Sequence, residues 1–344
     1  MEEKISIIIP CYNVENYISR CLDSLLIQTQ NTLEIICIND GSTDQTLRIL
    51  QNYKRKYKDK IILFNKKNEG VWKARQTGIS IATGNYIGFV DADDYVEPNF
   101  VEILYNSITE SQADIAVCGF DRIDMTTGKI ISREMCNIKT PIVNLDKFPD
   151  KLLCLNAALW NKLYRADLLK NMDNLTNPPR ILEDIMFLLL VCLKAKRISY
   201  TGNCLIHYIV RANSAINTVN SNDIDNTYQA MCEVKKIYIK KNPDWLELID
   251  TMAFLHLGIS LMFRISYDPN CNMKKILKTN LLYLNNNFST WKNSKYISLK
   301  YMSKNGFYNW KLWIVHTFYR LNLFGLFLSI YRFMIDRLKI DIKW

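Results

Sequence analysis

The chain has 344 residues, 49% of them hydrophobic and 23% charged, the profile of one large globular domain or two ordinary ones with a sizeable core. Its formal net charge of +10 leaves nucleic acid, an anionic membrane surface or an anionic substrate as partner classes. Nucleic acid is disfavoured: residues 292–344 hold ten Lys or Arg against two acids, yet no basic run there exceeds two residues and no zinc-finger spacing occurs.

Ten scattered cysteines form no CxxC. A disulfide framework is not expected in a chain of this size without an export signal, so the cysteines read as thiols in a reducing compartment. The opening MEEKISIIIP has too short an apolar run for a signal peptide. No stretch of 18 uncharged apolar residues occurs, so no clear spanning helix is expected.

Taken in chain order, Ser6–Pro10 reads as a buried strand, and apolar residues at 17, 18, 21, 22, 25 and 26 give a helix. Glu34–Asn39 is the next strand, and Ser42-Thr43-Asp44 opens a helix running to about Tyr57. Ile61–Phe64, Tyr86–Val90 and Asp114–Phe120 complete five strands, with helices over 70–82 and 98–111 between them. This alternation predicts an α/β domain with a mostly parallel central sheet and its ligand at the carboxyl ends of the strands. Pro10-Cys11-Tyr12-Asn13, Asn39-Asp40-Gly41-Ser42 and Asp91-Ala92-Asp93-Asp94 should then share one edge. Residues 121–180 are less regular, 182–194 is an apolar helix opened by Glu183-Asp184, and the chain after 222 is helical and aromatic. Its last stretch, 311–338, suits either a core helix pair or a helix lying on a membrane surface.

Asp-x-Asp at a strand end offers hard oxygens to Mg²⁺ or Mn²⁺, which take few carboxylates and fill their octahedron with water and phosphate. Such an ion, held by Asp93 with a nucleotide diphosphate, offsets the crowding of three acids in four residues. The competing reading is an acid-rich turn that caps a helix. Asp40 suits a base imide N–H, Tyr12 suits base stacking, and Gly41-Ser42 offers backbone N–H groups. Each alone is equally a turn or cap; together they describe a nucleotide cleft. GxGxxG and GxxxxGK[ST] are both absent, which disfavours a dinucleotide enzyme and a P-loop NTPase.

These residues resemble a known family. SIIIPCYNVENYISRCLDSLLIQTQ, EIICINDGSTDQT and NEGVWKARQTGISIATGNYIGFVDADDYVEP are similar, in order and spacing, to the N-terminal half of glycosyltransferase family 2, and the likeness thins through ALWNKLYRADLL, ILEDIMF and HYIVRANSAI. The resemblance implies a GT-A fold: a catalytic domain over 1–220, its nucleotide-sugar half 1–120 and acceptor half 121–220, with a helical extension over 221–344. It implies inverting transfer from a nucleotide-diphospho-sugar, with UDP as the expected base carrier, to a glycan or polyprenyl-linked acceptor in bacterial surface polysaccharide synthesis. Pro10, Tyr12 and Glu15 would line the nucleotide pocket, Asp40 would bind the base, and Asn68, Gly70 and Arg75 would sit near the ribose and diphosphate. Asp91 would contact nucleoside or sugar, Asp93 would hold Mn²⁺ or Mg²⁺, and Asp184 would be the general base beside Glu183 in the substrate set. Trp160 and Lys162 would shape the acceptor side, and Arg211 would pair with phosphate. Trp72 would join Trp160 and the 121–180 segment in setting donor and acceptor choice. His207 reads as a metal ligand or an ordinary packed histidine, and Ser214 closes that cluster. Asn39 replaces the family's usual acid before Asp40 and is placed at the pocket edge. The implied setting is cytoplasmic, peripheral on the anionic inner membrane face. The alternative is a catalytically silent nucleotide-binding relative acting as a partner protein.

Overall fold

The computed structural model describes residues 3–136, 138, 141–211, 221–268, 271–305 and 310–338. Two compact units divide the chain. The first comprises residues 1–148, 156–174 and 187–214; the second comprises 149–155, 175–186 and 215–344.

The first unit holds strands β1 (Ile5–Cys11), β2 (Leu33–Asp40), β3 (Ile61–Lys66), β4 (Tyr86–Phe89), β5 (Tyr95–Val96), β6 (Ile115–Asp124), β7 (Ile130–Glu134), β8 (Ile142–Asn144), β9 (Lys162–Arg165) and β10 (Arg197–Val210). Helices α1 (Ile18–Leu26), α2 (Thr46–Lys56), α3 (Val71–Ile81), α4 (Phe100–Glu110) and α5 (Ala166–Lys170) connect them, and α6 (Glu183–Cys192) runs from the second unit into the first. All strands join one sheet of order β3-β2-β1-β4-β9-β6-β10-β5, with β7 on β6 and β8 on β10.

The half formed by β3, β2, β1 and β4 is parallel throughout. Its β-branched runs are what a sheet covered on both faces requires, and all eight residues of β2 are buried. Beyond β4 the sheet is mixed: β9 runs antiparallel to both β4 and β6, while β10 is parallel to β6. The spacing foresaw β1–β4 and β6. It missed β5 and β7–β10 because most are two to five residues long and find their partners far away in sequence, so no local rhythm marks them.

Cys136 and Cys204 are joined by a disulfide, with Cα atoms 6.3 Å apart. The reading of all ten cysteines as thiols is therefore corrected; the other eight are not in disulfides. Both β7 and β10 border β6, and Gly119 of β6 leaves room for the link: a Cβ there would stand 2.6 Å from Cys136 Sγ. Strand order, invisible in a separation of 68 residues, makes the pair.

The second unit is helical: α7 (Ser221–Lys241), α8 (Leu246–Ala253), a π-helical turn (Phe254–Leu261), α9 (Met262–Ile265), α10 (Met273–Asn287), α11 (Leu299–Asn305), α12 (Trp310–Arg320) and α13 (Phe324–Leu338). Its core is aromatic. Phe254 stacks on Trp291 at 4.6 Å, and His316 and Tyr319 meet Phe254 edge-on. Buried Asp250 pairs with Lys235 at 2.6 Å and accepts from Thr290 N and Oγ1. The continuous run Pro243–Ile265 is long and apolar enough to cross a membrane by length and composition, but 72% of its apolar window is buried inside the protein, as in a core helix.

Candidate active site

Because β1, β2 and β4 are parallel neighbours, Cys11 of β1 lies opposite Asn39 of β2 and all three strands end at the same edge. The two loops that follow β1 and β2 are laced together. Asn13, at φ +51°, donates from its backbone N to Ser42 Oγ (3.1 Å) and accepts from Thr43 N (2.8 Å). Val14 N donates to Thr46 Oγ1 and Glu15 N to Asp44 Oδ2, while Glu15 Oε2 accepts from Gln45 N at 2.8 Å. Glu15 thus supports the entry to α2. Pro10 is half-buried, and Tyr12 stands 50% exposed beside it.

Asp40 is buried and holds the next loop. Its Oδ2 accepts from Gly70 N (2.8 Å), and its Oδ1 accepts from Glu69 N (3.1 Å) and Lys66 Nζ (3.3 Å). Gly41 has φ +71°, and a Cβ there would stand 2.6 Å from Asn68 N. The Asn68–Gly70 segment therefore leans directly on the end of β2. Asn39 is 1% exposed and donates to Asn65 Oδ1 at 2.6 Å. An amide is cheaper than a carboxylate at so buried a point.

The acidic segment after β4 meets its cations one by one. Asp91 Oδ1 lies 3.4 Å from Arg75 Nη2, the guanidinium being buried on α3. Asp93 pairs with Arg211, and its carbonyl accepts from Arg20 Nη2 at 3.2 Å. Asp94 is almost fully buried and accepts from Ile209 N at 2.9 Å. Burial first, then the charges of Asp93 and Asp91, push its carboxyl well above the usual range. Arg211 also lies over the Tyr17 ring, 4.9 Å from its centroid.

Trp160 is buried between Phe120 (4.7 Å, edge-on) and Tyr208 (5.5 Å, stacked). Burial, reinforced by Asp94, Asp93 and Asp91, pushes the Tyr208 phenol up to about 12. Lys162 has no exposed surface; its ammonium donates to Asn156 O and Asn161 Oδ1, both at 2.8 Å, and to Ala158 O. It thereby braces the 156–161 loop. Trp72 is a core residue, 3% exposed and edge-on to Phe187 at 5.4 Å. His207 stacks on Tyr95 at 4.4 Å and bonds Glu97 through Nε2 at 2.7 Å. Ser214 lies outside the described residues. Glu183 and Asp184 form the first turn of α6, in the second unit, straight after Leu182 at φ +59°.

The edge unites three loop ends over a parallel half-sheet, a geometry that comparisons identify. Residues 6–172 match the profile described as Glycosyl transferase family 2. That segment belongs to glycosyl transferase family 2. The chain is 32% identical over 222 residues to "Glycosyltransferase GlyA" of Streptococcus pneumoniae serotype 4, covering 62% of this chain and 32% of the relative. It is 36% identical over 236 residues to the poly(ribitol-phosphate) beta-glucosyltransferase of Bacillus spizizenii, covering 67% and 36%. It thus spans about a third of the length of these curated relatives. The crystal structure of S. aureus TarS 1-349 in complex with UDP-GlcNAc superposes with a TM-score of 0.69 at 20% identity, covering 99% of this chain and 93% of that one. The fold is GT-A.

Within the family 2 domain, the sequence reading missed Asp94, Tyr17 and Arg20. Asp94 was legible only as a third acid; that it turns inward to bind β10 depends on strand pairing. Tyr17, just before α1, reads as part of its apolar rhythm, and Arg20 lies on its polar side; no local signal marks either as a site residue.

Proposed function

We propose that the chain transfers a sugar from a UDP-linked donor to a glycan or lipid-linked acceptor, with inversion, in bacterial surface polysaccharide synthesis. The observation that carries this is the convergence of the β1, β2 and β4 loop ends, with Asp40, Asp91 and Asp93, on one edge of a family 2 domain. The UDP-GlcNAc held by TarS and the glucosyl transfer named for the Bacillus spizizenii relative support the donor class. The silent-relative reading has no observation of its own.

Among the described residues, no group of three His, Cys, Asp or Glu could hold a metal ion. A single carboxylate such as that of Asp93 suits Mg²⁺ or Mn²⁺, which accept one or two carboxylates and take water and phosphate for the rest. Asp93, half-buried in the segment after β4, would hold the ion. When bound, the ion would neutralise charge developing on the diphosphate.

The protein's own groups supply the rest. Asp40 and the loops of Tyr12 and Gly70 orient the nucleoside. Asp184 takes the acceptor hydroxyl proton on a carboxylate oxygen as that hydroxyl oxygen bonds to the anomeric carbon and the bond to the diphosphate breaks from the opposite side. Leu182 supports Asp184: a branched residue at positive φ costs about 1–3 kcal/mol, and such strain clusters at functional turns. Arg211 pairs with the departing diphosphate.

Peripheral contact with an anionic membrane on its cytoplasmic face belongs to the same reading. Its support is an exposed apolar row on α13 beside the C-terminal excess of basic residues.

The test is calorimetric titration of UDP-, GDP-, CMP- and dTDP-sugars with and without Mn²⁺. Mn²⁺-dependent binding of UDP-sugars, lost in Asp93→Ala, is expected. Asp184→Asn is expected to bind donor as the native chain does while transfer falls by about 10²-fold or more. Normal transfer by Asp184→Asn refutes the base assignment. Absence of binding by any sugar nucleotide to folded protein overturns the function.

A further inference from the structure

Three acids stand within four residues at the end of β4, and each has a built-in positive or N–H partner. Arg75 serves Asp91, Ile209 N serves Asp94 and Arg211 serves Asp93. The first two partners are fixed. Arg75 is 2% exposed within α3, and Ile209 N is backbone of a paired strand. Arg211 differs. It is the first residue beyond β10, its side chain is 31% exposed, and it is held by the Asp93 carboxylate and the face of Tyr17.

The backbone leading to Arg211 is anchored. Asp94 accepts from Ile209 N, His207 pairs with Tyr95 across β5, and β10 runs in register with β6 as far as Val210. The side chain, rather than the strand, is therefore the part free to change partner. A guanidinium and a divalent cation repel each other strongly if they share one carboxylate.

We propose that Arg211 is the resident counter-ion of Asp93 and an exchangeable one. It leaves Asp93 for the nucleotide diphosphate when Asp93 takes a divalent cation, so that cation and diphosphate bind as a coupled pair. This rests on the reading of Asp93 as the cation ligand. Without diphosphate, cation uptake must break the Arg211–Asp93 pair with nothing to receive the guanidinium. With diphosphate present, the guanidinium exchanges one anion for another. Coupling of this kind is reciprocal: UDP tightens cation binding by the factor by which the cation tightens UDP. Arg211 on this reading both binds the diphosphate and suppresses futile loading by metal alone.

The experiment is Mn²⁺ binding to the full chain, read by the loss of the free-ion paramagnetic resonance signal, with and without UDP. It compares the native chain with Arg211→Gln and Arg211→Lys. Arg211→Gln is expected to bind Mn²⁺ without UDP about 5-fold or more tightly than the native chain, and to bind UDP more weakly at saturating Mn²⁺. Arg211→Lys keeps the charge and is expected to stay near native for Mn²⁺ alone. A residue that merely contacted phosphate would weaken UDP and leave Mn²⁺ affinity unchanged. Equal or weaker Mn²⁺ binding by Arg211→Gln without UDP, in folded protein, overturns the exchange and leaves Asp93 as ligand intact. Failure of every protein to take up Mn²⁺ even with UDP overturns the metal reading, and the exchange falls with it.

Discussion

At the scale of single residues, the site depends on backbone that most side chains cannot adopt. Gly41 sits at φ +71° with Asn68 N where a Cβ would go. Gly41→Ala is expected to cost about 2 kcal/mol or more in denaturant unfolding. It is also expected to weaken nucleotide binding, because the Asn68–Gly70 segment must shift. A loss below about 0.5 kcal/mol would show that the loop yields.

His316 sets a pH dependence. Its ring is 7% exposed, and burial holds the imidazole below its ordinary 6.5, although its bond to the Lys292 carbonyl (3.1 Å) opposes this. The unfolded chain gains a proton near 6.5 that the folded chain resists. The stabilisation is therefore complete above that pH and is lost as pH falls toward the lowered folded value. The expected slope is up to about 1.4 kcal/mol per pH unit. His316→Gln, which can still donate to that carbonyl, is expected to lack it. Parallel stability–pH curves for the two proteins would refute the assignment.

At the scale of elements, α13 presents two faces. Phe324, Leu328 and Tyr331 are buried, while Leu326, Ile330 and Phe333 are 48–57% exposed at spacings of four and three, and so form one row. Gly325 stands against Leu277 of α10, beside the exposed Lys278. Replacing Leu326, Ile330 and Phe333 together by serine is expected to change stability by less than about 0.5 kcal/mol per site. Sedimentation with phosphatidylglycerol vesicles is expected to fall about 10-fold or more, while neutral vesicles bind poorly throughout. Unchanged sedimentation would remove α13 from the membrane contact. The element scale is also where local reading failed. The disulfide and β5, β7, β8 and β9 are pairings of short or irregular segments, and a three-residue strand such as β8 carries too few side chains for alternation to show.

For the whole molecule, ligand binding across the β1, β2 and β4 loops links segments far apart in sequence. UDP with Mn²⁺ at 100 times the dissociation constant is expected to raise unfolding free energy by about 2.7 kcal/mol, seen as a higher melting temperature. No shift with Asp93→Ala and a clear shift with the native chain would separate site occupancy from general salt effects.

The alternation of apolar strands and amphipathic helices over residues 5–124, with polar tips after β1, β2 and β4, was by itself enough to determine the parallel half-sheet and the edge at which its site lies. Strand and helix periods are local, and parallel crossover rules leave few ways to assemble them. What each acid does at that edge was decided only by tertiary structure. Asp91, Asp93 and Asp94 are near-identical in sequence. One meets a buried arginine, one a half-buried arginine from beyond β10, and one a backbone N–H. Those partners lie 16, 118 and 115 residues away. Charge and burial at a site are sums over neighbours brought by the fold, and a linear pattern carries no distance to them.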